Sequence, residues 1–459
     1  RGDCSIVDKE GACIMNFKKY ESYKDSGEEW IGDIPQEWQM TKFKNIGKAI
    51  IGLTYSPEEV ADSGTLVLRS SNIQNGTIVY ENNVYVNKKI SEKLKTKNGD
   101  ILICSRNGSR ELIGKCAYID DSSSGHSFGA FTTIFRSEYS RFLFYVFNSP
   151  LFKFQSGSFL TSTINQLTIN NLYNFKLPLP SVSEQEIIVN FLDQKTNEVN
   201  ELIKSKKLQI ETLQKYRQSL VTETVTKGLN PNVKMKSSGV EWIADIPEHW
   251  DLCQLKRKMK LITDGAHISP ETENGQHSFI SVVDIKEGKI DFENSLKTST
   301  SNYEYLVRTG CKPQKGDVLL SKDGTIGKSV VVDSEDFVVA SSLIINRPNH
   351  KEVDAGFLHF LFQSNLIQVQ LLSYLKGSAL KRVSIKNVQK ILCLFPPISE
   401  QLSISNYLGN VTKDIEVLIQ SIYEQIKVLE QYRQSLIYEA VTGKIDVRNY
   451  KESLLEVNL

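Results

Sequence analysis

SEQLSISNYLGNVTKDIEVLIQSIYEQIKVLEQYRQSLIYEAVTG, running from Ser399 to Gly443, decides the fold of this chain. Within it Leu408, Ile415, Ile422, Leu429 and Leu436 recur every seventh residue, and Ile404, Val411, Leu418 and Tyr432 fill a second seam position broken only by Gln425. That spacing predicts one long helix carrying a coiled-coil seam. An earlier stretch, SEQEIIVNFLDQKTNEVNELIKSKKLQIETLQKYRQSLVTETVTK from Ser183 to Lys227, repeats it. There Leu192, Val199, Leu213 and Leu220 face Ile188, Leu202 and Tyr216, with Lys195, Lys206 and Gln209 as interruptions. An isolated helix draws its stability from packing of its apolar face, so the two seams are expected to pack on each other.

Working outward, a second repeat opens each half. SGEEWIGDIPQEWQMTKFK (Ser26 to Lys44) matches SGVEWIADIPEHWDLCQLK (Ser238 to Lys256), both reading WIxDIPxxW, and these two blocks hold all four tryptophans. Trp30, Trp38, Trp242 and Trp250 are read as anchors packing an extended segment onto its domain, with base stacking as the alternative. Between block and helix each half shows short β-type runs with turn signals. The expected strands are Thr65–Arg69, Ile101–Cys104, Cys116–Ile119 and Thr132–Phe135, then a helix near Phe142–Lys153. Their counterparts are Phe279–Val283, Asp317–Leu320, Ser329–Val332 and Leu343–Asn346, then a helix near Phe357–Leu371. KLPLPSVSEQ and CLFPPISEQ lead into the long helices, where Ser183 and Ser399 are candidate N-caps. Frames are nearly copied while the domains between them are not, as if one scaffold carried two different readers.

The chain therefore divides as 1–14 (an upstream extension or tag remnant, preceding Met15), 15–180 (first domain), 181–228 (first long helix), 229–237 (linker), 238–396 (second domain), 397–445 (second long helix) and 446–459 (tail). A length of 459 residues exceeds one ordinary core, and 40% hydrophobic content supports two. With 55 Lys and Arg against 54 Asp and Glu, the net charge of +1 neither demands nor excludes a nucleic-acid partner, because local patches govern such binding. Seven cysteines include no CxxC pair, which argues against a zinc site or a disulfide framework. Reduced thiols, no long apolar span and no apolar leader point to a cytoplasmic protein without a membrane partner.

Gly324-Thr-Ile-Gly327-Lys328-Ser329 resembles a phosphate-binding loop but has Lys322 where that loop requires glycine, so a turn between strands is the better reading. Gly114-Lys115 stands in the equivalent place of the first half. His267 and His277 lack an acidic or thiol partner at ligand spacing, so a polar loop role outweighs a metal site. No catalytic motif is found. Polar clusters suited to reading base edges recur in both domains: Arg69, Asn72 and Gln74 with Arg106, Asn107 and Lys115 in the first, and His267, Lys322, Lys328, Lys381 and Arg382 in the second. Arg and Lys suit guanine edges, and Asn and Gln suit adenine edges.

The paired WIxDIPxxW blocks, the paired SEQ helix starts and the paired YRQSL segments at Tyr216 and Tyr432, in fixed order over about residues 15 to 445, resemble the specificity subunit of a type I restriction-modification system. The resemblance implies an α+β chain with two α/β target-recognition domains joined by an antiparallel coiled coil, related by an internal pseudo-twofold repeat. It further implies that each domain reads half of a split site on double-stranded DNA, and that the helices set the spacing and dock two modification subunits. Those partners methylate adenine with S-adenosylmethionine, and restriction subunits would add ATP- and Mg-dependent chemistry; this chain itself would hold no cofactor and be no enzyme. The alternative is a structural coiled-coil spacer whose end domains bind protein.

Overall fold

The computed structural model describes residues 4–7, 13–158, 165–268, 270–272, 275–286, 288–334, 336–375 and 382–450, and the statements below concern these. Two compact units divide the chain, one comprising Arg1–Lys206 with Glu424–Leu459 and the other Lys207–Tyr423. The long helices are continuous over Val182–Lys227 and Ile398–Val441. Each unit thus pairs the start of one long helix with the end of the other, and within each unit the two run antiparallel.

In the first unit an antiparallel sheet runs in the order Cys116–Tyr118, Ile101–Cys104, Thr132–Arg136, Lys48–Ile51. All four residues of Ile101–Cys104 are buried, which is why that strand reads as an unbroken apolar run. A second sheet sets Ser127–Phe128 parallel to Thr65–Leu68. Leu66, Leu68, Ile73, Leu102, Cys104, Phe128 and Ile134 form the core shared by these strands. Two helices, Ser140–Phe147 and Pro150–Ser158, replace the single one expected, because Asn148 caps the first and Pro150 opens the second.

The second unit repeats the plan. Its sheet runs Met259–Asp264, Leu343–Pro348, Val318–Ser321, Ser329–Val331, and His277–Ile280 lies parallel to Phe337–Val339. The strand expected at Phe279–Val283 ends early because Val282–Asp284 forms a 3-10 turn. Here too the helix is broken, at Ser364, into Ala355–Gln363 and Asn365–Ser373. The Gly324–Ser329 run is a turn joining Val318–Ser321 to Ser329–Val331, with Gly324 and Gly327 in the left-handed region.

The repeated motifs meet in space. Trp38 is fully buried and donates from Nε1 to Glu184 Oε2 at 3.0 Å, while the Tyr20 hydroxyl donates to Oε1 at 2.8 Å. In the second unit Trp250 Nε1 donates to Glu400 Oε2 at 3.2 Å. Thus the second Trp of each block is latched to the Glu of the SEQ helix start. Each latch also closes on the end of the other long helix: Gly443, at φ +71, approaches Pro35 so closely that a Cβ there would overlap the proline ring, and Gly228, at φ +81, lies against Trp250. The first Trp of each block behaves differently, with Trp30 stacked on Phe154 at 5.4 Å and Trp242 52% exposed. The helix starts also move: Ser183 lies inside the first turn, and Ser181 Oγ accepts from Glu184 N.

Glu184→Ala should orphan two buried donors, which costs about 1–3 kcal/mol for each. Chemical denaturation should therefore show the first unit losing stability by several kcal/mol, and an unshifted midpoint would remove the latch from the account. Glu400→Ala should cost less, since that carboxylate is 27% exposed.

The seams differ from strict heptads. Leu192, Val199, Leu408, Ile415, Ile422, Tyr432 and Leu436 are buried, and Leu213, Leu220 and Leu429 half-buried. Leu202, Tyr216 and Leu418, expected in the seam, are each more than half exposed. Beside Leu202 and Leu418 it is Ile203, buried, and Ile419, half-buried, that turn inward, and next to the interruptions Gln209 and Gln425 the buried residues are Ile210 and Ile426. The inward face steps from Val411 to Ile415 to Ile419, two four-residue steps in a row, and such a stutter shifts the heptad phase. Lys195 stays in the seam because its ammonium reaches Glu198 at 2.7 Å and sits over the Tyr450 ring.

Candidate nucleic-acid interface

In the first unit a strand-to-turn junction organises the candidate residues. Arg69 is half-buried, with Nη2 donating to Asn82 O at 3.1 Å. Asn72 is fully buried, accepting from Arg69 N at 2.9 Å and donating to Val79 O at 2.9 Å, so its amide holds the turn together and has no surface for a base. Asp284 does the same in the second unit, accepting from Ser281 N at 2.7 Å. That equivalence corrects the base-reading role given to Asn72. Gln74 is exposed on a two-stranded hairpin whose turn, Asn75-Gly76, has positive φ at both residues.

Arg106 is exposed and lies over the Phe131 ring at 5.1 Å. Asn107 donates to Ser70 Oγ at 3.3 Å, which brings the Arg69–Ser71 and Arg106–Asn107 stretches to one place. Lys115 is half-buried at the far end of the same strand connection. Arg69, Ser70, Ser71, Tyr55 and Phe131 line a cleft of about 500 Å³ in which no carboxylate takes part.

The second unit gathers its candidates around a carboxylate instead. Asp264 contacts His267 Nε2 at 2.9 Å and pairs with Lys322. So His267 does have an acidic partner, three residues upstream on the preceding strand, and the signal was present in the spacing. Lys322 is only 4% exposed and its charge is spent on Asp264, so it fixes the loop, which corrects the DNA-facing role expected of it. Arg382 reaches Asp323 Oδ2 at 2.6 Å, and Val383 N donates to Lys322 O, which adds Arg382 to the same cluster. Lys328 is exposed but elsewhere, with Nζ donating to Ile285 O at 3.3 Å. Lys381 lies outside the described residues. His277 stacks on Tyr303 at 4.0 Å, away from the His267 cluster. Among the described residues no group of three metal-ligating side chains occurs.

The main displaced histidine is His359, which burial pushes down to about 4, so it stays a neutral partner of Ser329 Oγ at 3.0 Å inside the second unit. Burial also raises the Cys104 thiol, which keeps it inert. Sequence reading missed Phe131, Tyr55 and Asp264, the first two because a single aromatic in a loop has no periodic signal.

A family model described as "Type I restriction modification DNA specificity domain" matches the chain twice, over residues 35–212 and 249–428. The chain belongs to that family. It is 23% identical over 434 residues to the EcoKI specificity subunit of Escherichia coli K12, covering 90% of both chains. It is 24% identical over 452 residues to the putative MjaX specificity subunit of Methanocaldococcus jannaschii, covering 95% of this chain and 99% of the other. A solved chain from work on complex assembly and conformational transition of the type I R-M system shares its fold, with TM-score 0.66 and 18% identity over 90% of this chain and 99% of that one. No described helix of this specificity-family chain is long and apolar enough to cross a membrane.

Proposed function

We propose that this chain is the DNA-specificity subunit of a type I restriction-modification complex, in which each unit reads one half of a bipartite duplex site. The long helices set the gap between half-sites and dock two modification subunits. S-adenosylmethionine would be held by those partners, and ATP and Mg by restriction subunits where present. The chain itself recognises DNA and catalyses nothing.

One observation carries this reading: a duplicated frame bears two unlike surfaces. The pairings Cys104↔Thr132 and Ser321↔Leu343 match these strands of the two units, and the turns held by Asn72 and Asp284 match the preceding connection. At matching positions Phe131 faces Ser342, Arg106 faces Asp323, and Ser71 faces Val283 in the alignment, whereas the Trp–Glu latches are the same in both. Scaffold kept and surface changed is what two readers of different sequences require, since base edges are distinguished by individual side chains. The chain reconstituted with its modification subunits should enrich a split consensus from a random duplex library in a mobility-shift selection. Recovery of no consensus, or methyl transfer by the purified single chain, would contradict the proposal.

A further inference from the structure

Phe131 is 59% exposed, yet its position is held with unusual firmness. Its carbonyl oxygen accepts from Ser105 N at 3.0 Å, from Arg106 N at 3.0 Å and from Ser105 Oγ at 3.1 Å. The residue on either side is tied down as well, since Thr132 N donates to Gly129 O at 2.8 Å and Ala130 N to Leu53 O at 2.9 Å. One exposed apolar ring is by itself ordinary, so what this one does is decided by how firmly it is held and by what surrounds it.

The neighbours say which contact. The Arg106 guanidinium lies over the ring at 5.1 Å, and no hydrogen-bond acceptor among the described residues holds it. The ring lines the cleft shared with Tyr55, Arg69, Ser70 and Ser71, which no carboxylate lines, and the exposed Arg106 guanidinium stands beside it. Such a surface suits a polyanion, and the pairing of an apolar group with an arginine suits the major groove. There thymine alone offers a methyl, and guanine offers the O6 and N7 acceptor pair.

The second unit gives the contrast. Its counterpart of Phe131 is Ser342, whose Oγ turns inward to accept from Val282 N at 3.1 Å. The exposed apolar residues of that unit's reading loops are instead Val283 (72%) and Ile268 (47%). The apolar contact therefore sits at different places on the two copies of the same frame.

We infer that Phe131 and Arg106 are specificity-determining residues of the first unit, the ring packing on a thymine methyl and the guanidinium donating to a guanine in the same half-site. This rests on the reading that the unit binds duplex DNA. Methylation mapping first fixes the two half-sites for the complex with its modification subunits. Binding of that complex is then measured on duplexes in which each thymine of the half-sites is replaced in turn by uracil, which lacks only the methyl. One replacement, in one half-site, should weaken wild-type binding about four-fold, the effect of one buried methyl. Phe131→Ala should bind the unaltered duplex with a similar loss and be insensitive to that replacement, while Phe131→Leu, which keeps apolar bulk, should retain the sensitivity. Arg106→Ala should relax discrimination at one guanine of the same half-site by about ten-fold or more. A half-site pair in which no thymine couples to residue 131, with DNA binding intact, overturns this inference alone. A wild-type complex that binds no duplex at all overturns the DNA-binding reading along with it.

Discussion

Exchanging residues 43–175 for the corresponding region of another specificity subunit is expected to replace one half of the recognised sequence and leave the other half unchanged. Two apolar clusters of this region, around Leu66, Leu102 and Ile134 and around Leu53, Val67 and Val86, are drawn from its own residues. The boundary matters, and the fold moves it from residue 45, where the sequence repeat alone would place it. Phe43 is fully buried against Phe135, Phe147 and Phe152, with centroids 5.4, 4.9 and 6.3 Å away. A cut after it would leave that ring facing a foreign core, and mismatched packing costs about 1–3 kcal/mol. Trp38 and Glu184 stay outside the exchanged segment, so the latch that fixes the domain on its helix is kept. Methylation mapping of the exchanged complex reads the outcome. A change in both half-sites would mean that recognition is not divided between the units.

Much of this architecture is legible in the sequence because it is written twice. The heptad-like spacing of Leu408, Ile415, Ile422 and Leu436 locates the second long helix, and the paired WIxDIPxxW blocks locate the frame. Where the reading slips, the cause is local. Leu202, Tyr216 and Leu418 satisfy a strict seven-residue repeat, but each is more than half exposed while Ile203, Ile210 and Ile426 are buried, so the inward face does not keep one heptad phase along the helices. Helix breaks leave no periodic trace either: the single helix expected over Phe142–Lys153 is split after Phe147, and Pro150, which cannot donate, starts the next one. The candidate site is less legible. Asn72 and Lys322 have the residue types of base readers, yet burial turns both into structural members, and only their partners Val79 and Asp264 explain why. Phe131 is the reverse case, an apolar residue in a loop whose meaning comes from three hydrogen bonds to its carbonyl that no spacing predicts.

Lengthening both long helices in step is the second large effect. Each is continuous, 46 residues over Val182–Lys227 and 44 over Ile398–Val441. If the proposed ruler is right, the distance between half-sites is set by helix length at about 1.5 Å per residue. Inserting seven residues after Gln209 and seven after Gln425 keeps the apolar phase and adds roughly 10 Å. Each base pair advances ~3.4 Å along the duplex, so the gap should grow by about three base pairs. The insertions lie in the long helices and leave the proposed base contacts at Phe131, Arg106 and the His267 cluster unaltered.

Single-molecule methylation mapping of a host carrying the helix-lengthened subunit with its modification partners tests this account most directly. It should report both original half-sites, unchanged in sequence, separated by a gap wider by about three base pairs. An active variant that methylates the original site at its original spacing would contradict it.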